Sequence, residues 1–545
     1  MQKLDIKSRF RIINGYFNRI NPRVIAPVIL IFSFLWQWAY GRYLPLDGDA
    51  AEYLNNPLRI LHGDLPYKDF WLLFPPGEVY LPFLIYKVFG LNINNVFVFS
   101  ALIKSLVVVL AFFIGRNLGK SNFSGLIAST LIFFYGVTDI YQFFVFLSAI
   151  FFLKYLSNQQ TRFLVYTGFL IGGSFYFKFY ESGAVVLSIG LVLLFERLLE
   201  KKNVQPDLIK KISAFSLGLL VVLMTLLILA HSFLKEMLFA IIDARSHGSS
   251  MPAPYFSSLF FSLKLLWQNF KIFFQTLNPT DFFHTAYFLG DSIQKALLYL
   301  CPLYLGVLVP YWLFRKKISL YPKKIMLWLW LWGILLLPKA FNVGDLGHLS
   351  YANTPFLLLL TCLPTTTFTQ QNKHKKTTLN FGILILAGLI VFLILPIRSQ
   401  LKTSLRQNYP VVTAQGTVYL ETESAAQNLA NTLKFINQNS AANEPIFVTS
   451  WYSCPLYALT GRKNPSYYDS LIDLVIRPTV IKQTSICHDL LKAKTKLIID
   501  GPDWGFGDNP KFKFLENNPL LHQCIEDNFE LKAKYKSYWL YLSKQ

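Results

Sequence analysis

The chain has 545 residues, of which 53% are hydrophobic, 17% aromatic and only 15% charged, and its formal net charge is +22 at pH 7. A water-soluble fold cannot bury so much apolar surface, so this composition excludes an ordinary soluble enzyme and predicts a polytopic membrane protein. Cytoplasmic lysines and arginines that face anionic lipid account for much of the charge. We therefore predict membrane lipid, and no nucleic acid, as a partner.

Apolar runs follow one another along the chain and predict about eleven membrane spans by hydropathy. The first run follows several basic residues, and no small-x-small cleavage site comes after it, so we expect a retained anchor. The runs cover residues 24–39, 96–114, 123–138, 141–156, 163–180, 183–195, 212–234, 286–314, 325–341, 349–364 and 379–397.

Basic clusters lie at every second connection between these runs. Such connections stay in the cytoplasm, which predicts a cytoplasmic N-terminus and a multi-pass protein of the plasma (inner) membrane. The alternation requires that residues 75–90 do not span, and this short segment carries Pro82, which favours a helix lying in the interface. The extracytoplasmic segments are then 42–95, 235–285, 342–348 and everything after about residue 398.

These boundaries predict a transmembrane domain over 1–397, with the first outer loop at 42–95, and a soluble extracytoplasmic domain over 398–545. The second part has roughly 145 residues, enough for a core of its own. Its periodicity predicts a helix over 424–438 and several strands, so we expect a small α/β domain. The predicted strands are 445–450, 496–500 and 538–542.

The five cysteines divide between the two parts. Cys301 and Cys362 fall in predicted spans, where small apolar packing roles are expected. Cys454, Cys487 and Cys524 fall in the exported domain, so at most one disulfide forms there and one thiol is left over. No Cys or His spacing is typical of a zinc site.

The acidic loop after the first span needs an explanation because carboxylates at a membrane surface are costly. Asp47 and Asp49 flank Gly48, just before a helix expected to begin near Ala50. One interpretation is that either carboxylate is a general base for an incoming hydroxyl. The other is that it caps the helix.

Cations at the extracytoplasmic ends of spans are candidates for holding a phosphate, because an interfacial ion is costly unless it is used or paired. They are Lys178, Arg245, His247 and His348. The alternative for Lys178 is an ion pair with Glu181 one turn away. The alternative for His348 is a satisfied interface histidine.

Several motifs around the acidic loop form a familiar pattern. In chain order they are Asp49-x-x-x-Tyr53-Leu54, Gly63-x-x-Pro66-Tyr67-x-Asp69, Pro75-Pro76-Gly77 with Tyr80-Leu81, and Phe89-Gly90. This pattern resembles the C-type (GT-C) membrane glycosyltransferases of the protein-mannosyltransferase-like and aminoarabinose-transferase-like group, which use polyprenyl-phosphate sugars as donors. The resemblance implies a polytopic α-helical GT-C-like fold with interfacial helices.

The resemblance also implies roles for single residues. Family members place the loop aspartate, here Asp49, in the catalytic cavity, and related sequences carry an element like Asp345-x-x-His348 before the penultimate span. The segment 457–465, which includes Arg462, resembles one found in bacterial members.

Two positions depart from the family pattern. Ala50 stands where an acidic residue is usual, and Phe74 stands where a basic residue often precedes the double proline. The sugar is therefore not carried over from the family.

The leading hypothesis is a transferase that moves a hexose or pentose from a polyprenyl-phosphate donor to a glycan or glycolipid, or to a protein, on the outer face. Asp49 is the expected general base, Asp47 assists, and Lys178, Arg245 and His348 hold the departing phosphate. Acceptor or structural support is expected from Tyr53, Tyr67, Asp69, Asp345 and Arg462.

Two other classes of function stay open: a transporter or flippase of lipid-linked sugars, and a non-catalytic glycan-assembly protein. Transporters usually place ionisable residues within spans, whereas here they gather at the outer ends, which favours the enzyme. No cofactor is certain. Two carboxylates in one loop are able to hold a divalent metal, although polyprenyl-monophosphate users of this family are generally described as needing none.

Overall fold

The computed structural model forms two compact units: Met1–Gln37, Leu102–Leu226 and Met251–Ser399 make up the first, and Trp38–Ala101, Leu227–Ser250 and Gln400–Gln545 the second. It describes residues 15–41, 48–72, 74–200, 205–247, 255–275, 279–314, 320–342, 346–361, 388–390, 393, 395–397, 401, 408–449, 455–468, 479–500, 518–535 and 538–544. The division into domains at residues 397 and 398 stays a prediction.

Helices dominate the chain up to residue 360. In order they are α1 Pro22–Gly41, α2 Gly48–Leu61, α3 Gly77–Phe89, α4 Ile93–Gly119, α5 Asn122–Tyr135, α6 Ile140–Asn158, α7 Arg162–Ser174, α8 Phe179–Glu200, α9 Gln205–Ala230, α10 Leu234–His247, α11 Tyr255–Gln275, α12 Pro279–Phe314, α13 Leu320–Asn342 and α14 Leu346–Leu360. The segment predicted as a short non-spanning helix is α3, which carries Pro82 within it.

Seven helices in the described part of the chain are long and apolar enough to cross a membrane. They cover Pro22–Gly41, Ile93–Gly119, Ile140–Asn158, Phe179–Glu196, Leu208–Ala230, Tyr287–Leu313 and Leu320–Phe341. Asn122–Tyr135 is a shorter apolar helix. The predicted polytopic helical class is confirmed, but the predicted count of about eleven spans is not.

These helices expose large apolar side chains in a way that suits lipid. Ile228 is 64% exposed and Val307 is 76% exposed. In water, apolar patches of this kind would promote association. In a bilayer they meet hydrocarbon at no cost, while the helices satisfy their own backbone groups.

In the first unit, α7 and α9 cross at two glycines. A methyl group built at Gly168 would overlap the backbone carbonyl of Phe215, and one built at Gly218 would overlap the carbonyl of Val165. Because transmembrane helices associate largely by close backbone packing, small residues at such a crossing are required.

The described part of the second unit contains two sheets. β1 (Tyr409–Thr413) and β2 (Gly416–Leu420) form an antiparallel hairpin, on which α15 (Glu423–Asn439) packs. A second sheet has the order β3-β4-β6-β5, with β3 parallel to β4 and the other neighbours antiparallel. Its strands are β3 Ile446–Val448, β4 Leu497–Asp500, β5 Phe529–Lys534 and β6 Trp539–Ser543, and the remaining helices are α16 Pro455–Thr460, α17 Val480–Lys492 and α18 Pro519–Asn528.

One hydrophobic core joins the loop that follows α1 to the C-terminal segment within this unit. Leu54 of α2 and Tyr86 of α3 pack in the same cluster as Ile446, Leu456 and Leu540. The loop therefore shares its core with a segment that lies more than 300 residues further along the chain.

The predicted helix and the three predicted strands of the C-terminal part are confirmed as α15, β3, β4 and β6. The sequence prediction missed β1, β2 and β5, each of which has a single buried residue. Cys487 of α17 and Cys524 of α18 form the disulfide. Cys301 is a buried free thiol, and Cys362 and Cys454 lie outside the described residues.

Candidate functional site

The acidic loop leads into α2. Asp49 is the second residue of this helix, and Asp47 lies outside the described residues. A carboxylate in the first turn of a helix is favoured by the unsatisfied N–H groups and by the helix dipole. The helix begins at Gly48, two residues before the expected start near Ala50, so Asp49 lies within the first turn and its role stays a prediction.

The far end of α2 is held by Arg59, whose guanidinium is buried. Its Nε donates to Asp64 Oδ2 at 3.0 Å, its Nη1 to the carbonyl of Ser466 at 2.7 Å, and its Nη2 to the carbonyl of Asp69 at 3.1 Å. The guanidinium also lies 4.8 Å from the centre of the Phe70 ring. Every nitrogen of this side chain is therefore used within the second unit.

Asp64 is shared by two cations. Besides Arg59, it accepts from Lys463 Nζ, which lies 2.6 Å from Asp64 Oδ1. His62 is nearby, and its pKa is lowered mainly by burial, then by the positive charge of Lys463; Arg59 lowers it further, and Asp64 opposes the shift. Because two cations already surround this buried carboxylate, a third positive charge on His62 would gain little stabilisation.

The aromatic turn after α2 is fixed by Tyr67, which has a φ of 66°. Its hydroxyl donates to the carbonyl of Phe74, and its own carbonyl accepts from Tyr467 Oη at 2.9 Å. Burial raises the Tyr67 pKa well above its usual value, so the phenol stays a donor. Its ring stacks on Phe233 at 5.4 Å. These contacts hold Tyr67 within the turn, and the supporting role expected of it stays a prediction.

Two more predicted supporting residues also act within this turn. Asp69 Oδ2 accepts from the backbone N–H of Leu65 at 2.8 Å, which closes the turn. Tyr53 stacks on Phe74 with ring centres 6.4 Å apart. The position where related sequences often carry a basic residue is therefore an aromatic contact in this chain.

In the first unit, loops at one end of the helices bring together a cluster of charged and aromatic residues, here called the Asp139 cluster. Its members are Asp139, Lys178, Glu181, Lys339 and Tyr351. Asp139 caps α6 by accepting from Gln142 N at 2.9 Å, and it also accepts from Tyr351 Oη at 3.2 Å. Lys178 is near enough to act on the same carboxylate electrostatically.

Lys339 completes the Asp139 cluster. Its ammonium pairs with Glu181 and lies 4.1 Å from the centre of the Tyr351 ring. Glu181 is buried, whereas Asp139, Lys178, Lys339 and Tyr351 are only partly buried. The cluster has two ammonium groups and a phenol beside two carboxylates, and four of its five members keep some exposure to a ligand.

His348 lies in the first turn of α14, one turn before Tyr351, and is partly buried. Lys178 and His348 thus belong to elements that meet at Asp139. Arg245 is in the last turn of α10, in the second unit, and Asp345 lies outside the described residues.

At the opposite end of the same helices lies a second cluster, here called the Glu196 cluster. Glu196 pairs with Lys211 at 3.2 Å and with Lys324, and it accepts from Tyr155 Oη at 2.8 Å. All four side chains are buried, with Glu196 only 2% exposed. A buried carboxylate whose partners are all internal ties helices together and offers no room for a ligand. We assign this cluster a structural role.

Arg462 is also held internally. Its guanidinium donates to Ser440 Oγ at 2.9 Å, to the Ser440 carbonyl at 2.7 Å and to Asn437 Oδ1 at 3.0 Å. Burial lowers its pKa, and Glu444 opposes the shift. These contacts support a structural role in the C-terminal segment, and any role towards an acceptor stays a prediction.

Sequence reasoning missed Asp139, Lys339 and Tyr351. Asp139 had a usable signal, since an Asp directly before an apolar run is a typical helix cap. Lys339 had another, since an ion near the end of a span requires a partner. No group of three or more metal-binding side chains occurs among the described residues, which do not include Asp47.

Comparison with known proteins gives three results. Residues 74–241 match the family described as dolichyl-phosphate-mannose-protein mannosyltransferase. The crystal structure of ArnT from Cupriavidus metallidurans bound to undecaprenyl phosphate matches with a TM-score of 0.47 and 11% identity, over 95% of this chain and 97% of that chain. The apo structure of the same protein matches with a TM-score of 0.43 and 12% identity, over 96% and 98%.

No curated protein sequence matches the chain. The predicted resemblance to the C-type membrane glycosyltransferases is nevertheless confirmed over part of the chain: residues 74–241, which follow the motifs at Asp49 and Gly63, are similar to the family described as dolichyl-phosphate-mannose-protein mannosyltransferase.

Proposed function

We propose that this protein transfers a sugar from a polyprenyl-phosphate donor to a glycan or glycolipid acceptor on the extracytoplasmic face of the membrane. The family match over residues 74–241 supports transferase chemistry. The seven apolar helices suit a donor that arrives through the bilayer. The observation that carries the proposal is the partly buried Asp139 cluster, in which two lysines and a tyrosine gather at helix ends.

In the proposed reaction, an acceptor hydroxyl oxygen attacks the anomeric carbon of the donor and the bond from that carbon to the phosphate oxygen breaks. The hydroxyl proton passes to Asp49, and polyprenyl phosphate leaves. A single displacement of this kind inverts the anomeric centre. The base lowers the barrier for proton removal, and nearby cations stabilise the charge that develops on the phosphate.

We assign the phosphate to Lys178, Arg245 and His348, and we add Lys339 and Tyr351 because they lie in the same cluster as Lys178. Asp139 orients the Tyr351 hydroxyl by accepting from it. It also counters the repulsion between the two ammonium groups when no donor is bound. In this proposal, the ammonium groups of Lys178 and Lys339 lie at the headgroup level, where the donor phosphate binds.

The disulfide supports the proposed side of the membrane. Disulfides persist in oxidising compartments and are rare in the cytoplasm. Because Cys487 and Cys524 are joined, the C-terminal segment is expected outside the cytoplasm. The acidic loop shares a hydrophobic core with this segment, so it is expected on the same side.

The test is a transfer assay with the full-length protein purified in detergent. A panel of labelled polyprenyl-phosphate hexoses and pentoses is offered with glycolipid from the same membrane. We expect equal amounts of label in the acceptor and of released polyprenyl phosphate. In vesicles, label that crosses the membrane without transfer would indicate a transporter. The absence of both transfer and crossing would indicate a non-catalytic protein.

The matched variants are Asp49→Asn and Asp527→Asn. The amide keeps the size and hydrogen-bonding reach of the carboxylate but cannot accept the proton, and a general base contributes on the order of 10² to 10⁴ in rate. Asp527 is an exposed carboxylate of α18, so its replacement should leave transfer unchanged. If Asp49→Asn keeps near-normal transfer, Asp49 is a helix cap and the base lies elsewhere.

A further inference from the structure

We propose that residues 455–468 of the C-terminal segment hold α2, and with it Asp49, in its working position. The contact is made by three charged residues, Arg59, Asp64 and Lys463, here called the loop clamp. This inference rests on the proposed function for its effect on catalysis, and it makes the exported segment a positioning part of the reaction site.

Two of the three side chains of the loop clamp are buried. The side chains of Arg59 and Asp64 are only 6% and 10% exposed, while that of Lys463 is 44% exposed. Burying Asp64 is costly unless its charge is fully partnered. Arg59 and Lys463 take one carboxylate oxygen each, so removing either cation leaves a buried negative charge with half of its compensation.

The loop clamp joins parts of the chain that are far apart in sequence. Asp64 and Lys463 are separated by 399 residues, and Arg59 and Ser466 by 407. Arg59 reaches the Ser466 carbonyl, so the same guanidinium contacts the outer loop and the exported segment. The contact is therefore specific to the folded unit and cannot form within the loop alone.

Neighbouring backbone groups also connect residues 455–468 to α2 and to the turn that follows it. The N–H of Ala458 donates to Asn55 Oδ1 at 3.1 Å, and the N–H of Trp71 donates to the Tyr467 carbonyl at 2.8 Å. With the Tyr467 hydroxyl on the Tyr67 carbonyl, the segment contacts both α2 and the turn that follows it. These contacts fix α2 at Asn55 and Arg59, which lie one turn apart, and fix the turn that follows it.

The loop clamp and the proposed general base lie on the same helix. Asp49 and Arg59 lie ten residues apart on the same helix, which corresponds to about 15 Å along its axis. A helix held at one end transmits a small tilt to the other end. Because a misplacement of about 1 Å is able to reduce a rate about 100-fold, loosening the clamp should slow transfer without removing any reacting group.

The test uses Lys463→Met, which removes the cation but keeps an apolar stem at a position that is half exposed. Lys463→Arg restores the charge. Lys532→Met is the matched control, because Lys532 is 45% exposed and pairs with Glu530 in the same segment. All three are made in the full chain, and kcat, KM for the donor, thermal stability and hydrogen exchange of the α2 amides are measured.

We expect Lys463→Met to lower kcat about tenfold with little change in donor KM, and to speed exchange in α2. Lys463→Arg should recover most of kcat, and Lys532→Met should match the parent protein. Unchanged exchange in α2, or a loss of activity that only follows a loss of thermal stability, would overturn the clamp. If exchange rises but the parent protein transfers no sugar, the clamp stands and the proposed function fails.

Discussion

At the scale of single residues, the same residue type plays opposite parts at the two ends of the helices. Lys211 and Lys324 are buried against Glu196, whereas Lys178 and Lys339 are only partly buried in the Asp139 cluster. Desolvation explains the difference: a fully buried lysine is tied to its internal partner, and a partly exposed one is able to exchange that partner for a ligand.

Lys178→Met should therefore weaken catalysis more than it weakens the fold. Losing one group that stabilises charge in the transition state typically costs 10²- to 10³-fold in kcat, and we expect about that loss in transfer. Lys210→Met, which changes an exposed lysine of α9, is the control and should have no effect. Normal transfer by Lys178→Met would remove Lys178 from the phosphate site.

His62 predicts a pH dependence of stability. Its pKa in the folded protein lies below the usual 6.5, so the folded state binds fewer protons than the unfolded state in this range. The stabilisation from neutral His62 is complete above pH 6.5 and is lost as the pH falls through the folded-state pKa.

Melting curves recorded at pH 7.5 and 5.5 check this expectation. The parent protein should lose more stability on acidification than His62→Gln, which cannot titrate there. Burial, Arg59 and Lys463 disfavour the protonated ring and Asp64 attracts it, so equal losses in the two proteins would mean that these effects cancel, and a smaller loss in the parent protein would mean that Asp64 dominates.

At the scale of elements, the crossing of α7 and α9 depends on two glycines. Gly168→Ala adds a methyl group that would overlap the Phe215 carbonyl, so the helices must separate. Overpacking of this kind typically costs about 1–3 kcal/mol.

Thermal unfolding in detergent measures this cost. We expect Gly168→Ala to unfold at a lower temperature than the parent protein. Gly190→Ala is the control, because no atom lies within 4 Å of the methyl group it adds in α8. Equal melting temperatures for both variants would show that α7 and α9 adjust freely at their crossing.

At the scale of the whole molecule, topology decides where any reaction takes place. The basic clusters predict a cytoplasmic N-terminus and an extracytoplasmic C-terminus. A reporter that works only in an oxidising compartment, fused after Gln545, should be active, and a cytoplasm-only reporter at the same point should be silent. The reverse result would place both the acidic loop and the disulfide in the cytoplasm and exclude the proposed site.

Local patterns in the sequence determined the membrane class, the main helices, α15 and the strands β3, β4 and β6. Hydropathy and periodicity are properties of short segments, so they are readable wherever one side of an element is consistently apolar. The acidic loop was also readable, because charges beside a span stand out against their surroundings.

Only the tertiary structure decided which distant groups meet. It paired Cys487 with Cys524, placed Tyr351 on Asp139 across 212 residues, and joined Lys463 to Asp64 across 399. No local pattern encodes such partners, because each pairing depends on the packing of elements that close long loops of chain. The physical reason is that the residues of a short segment decide whether it forms a helix or a strand, whereas packing in the shared core decides which other elements it contacts.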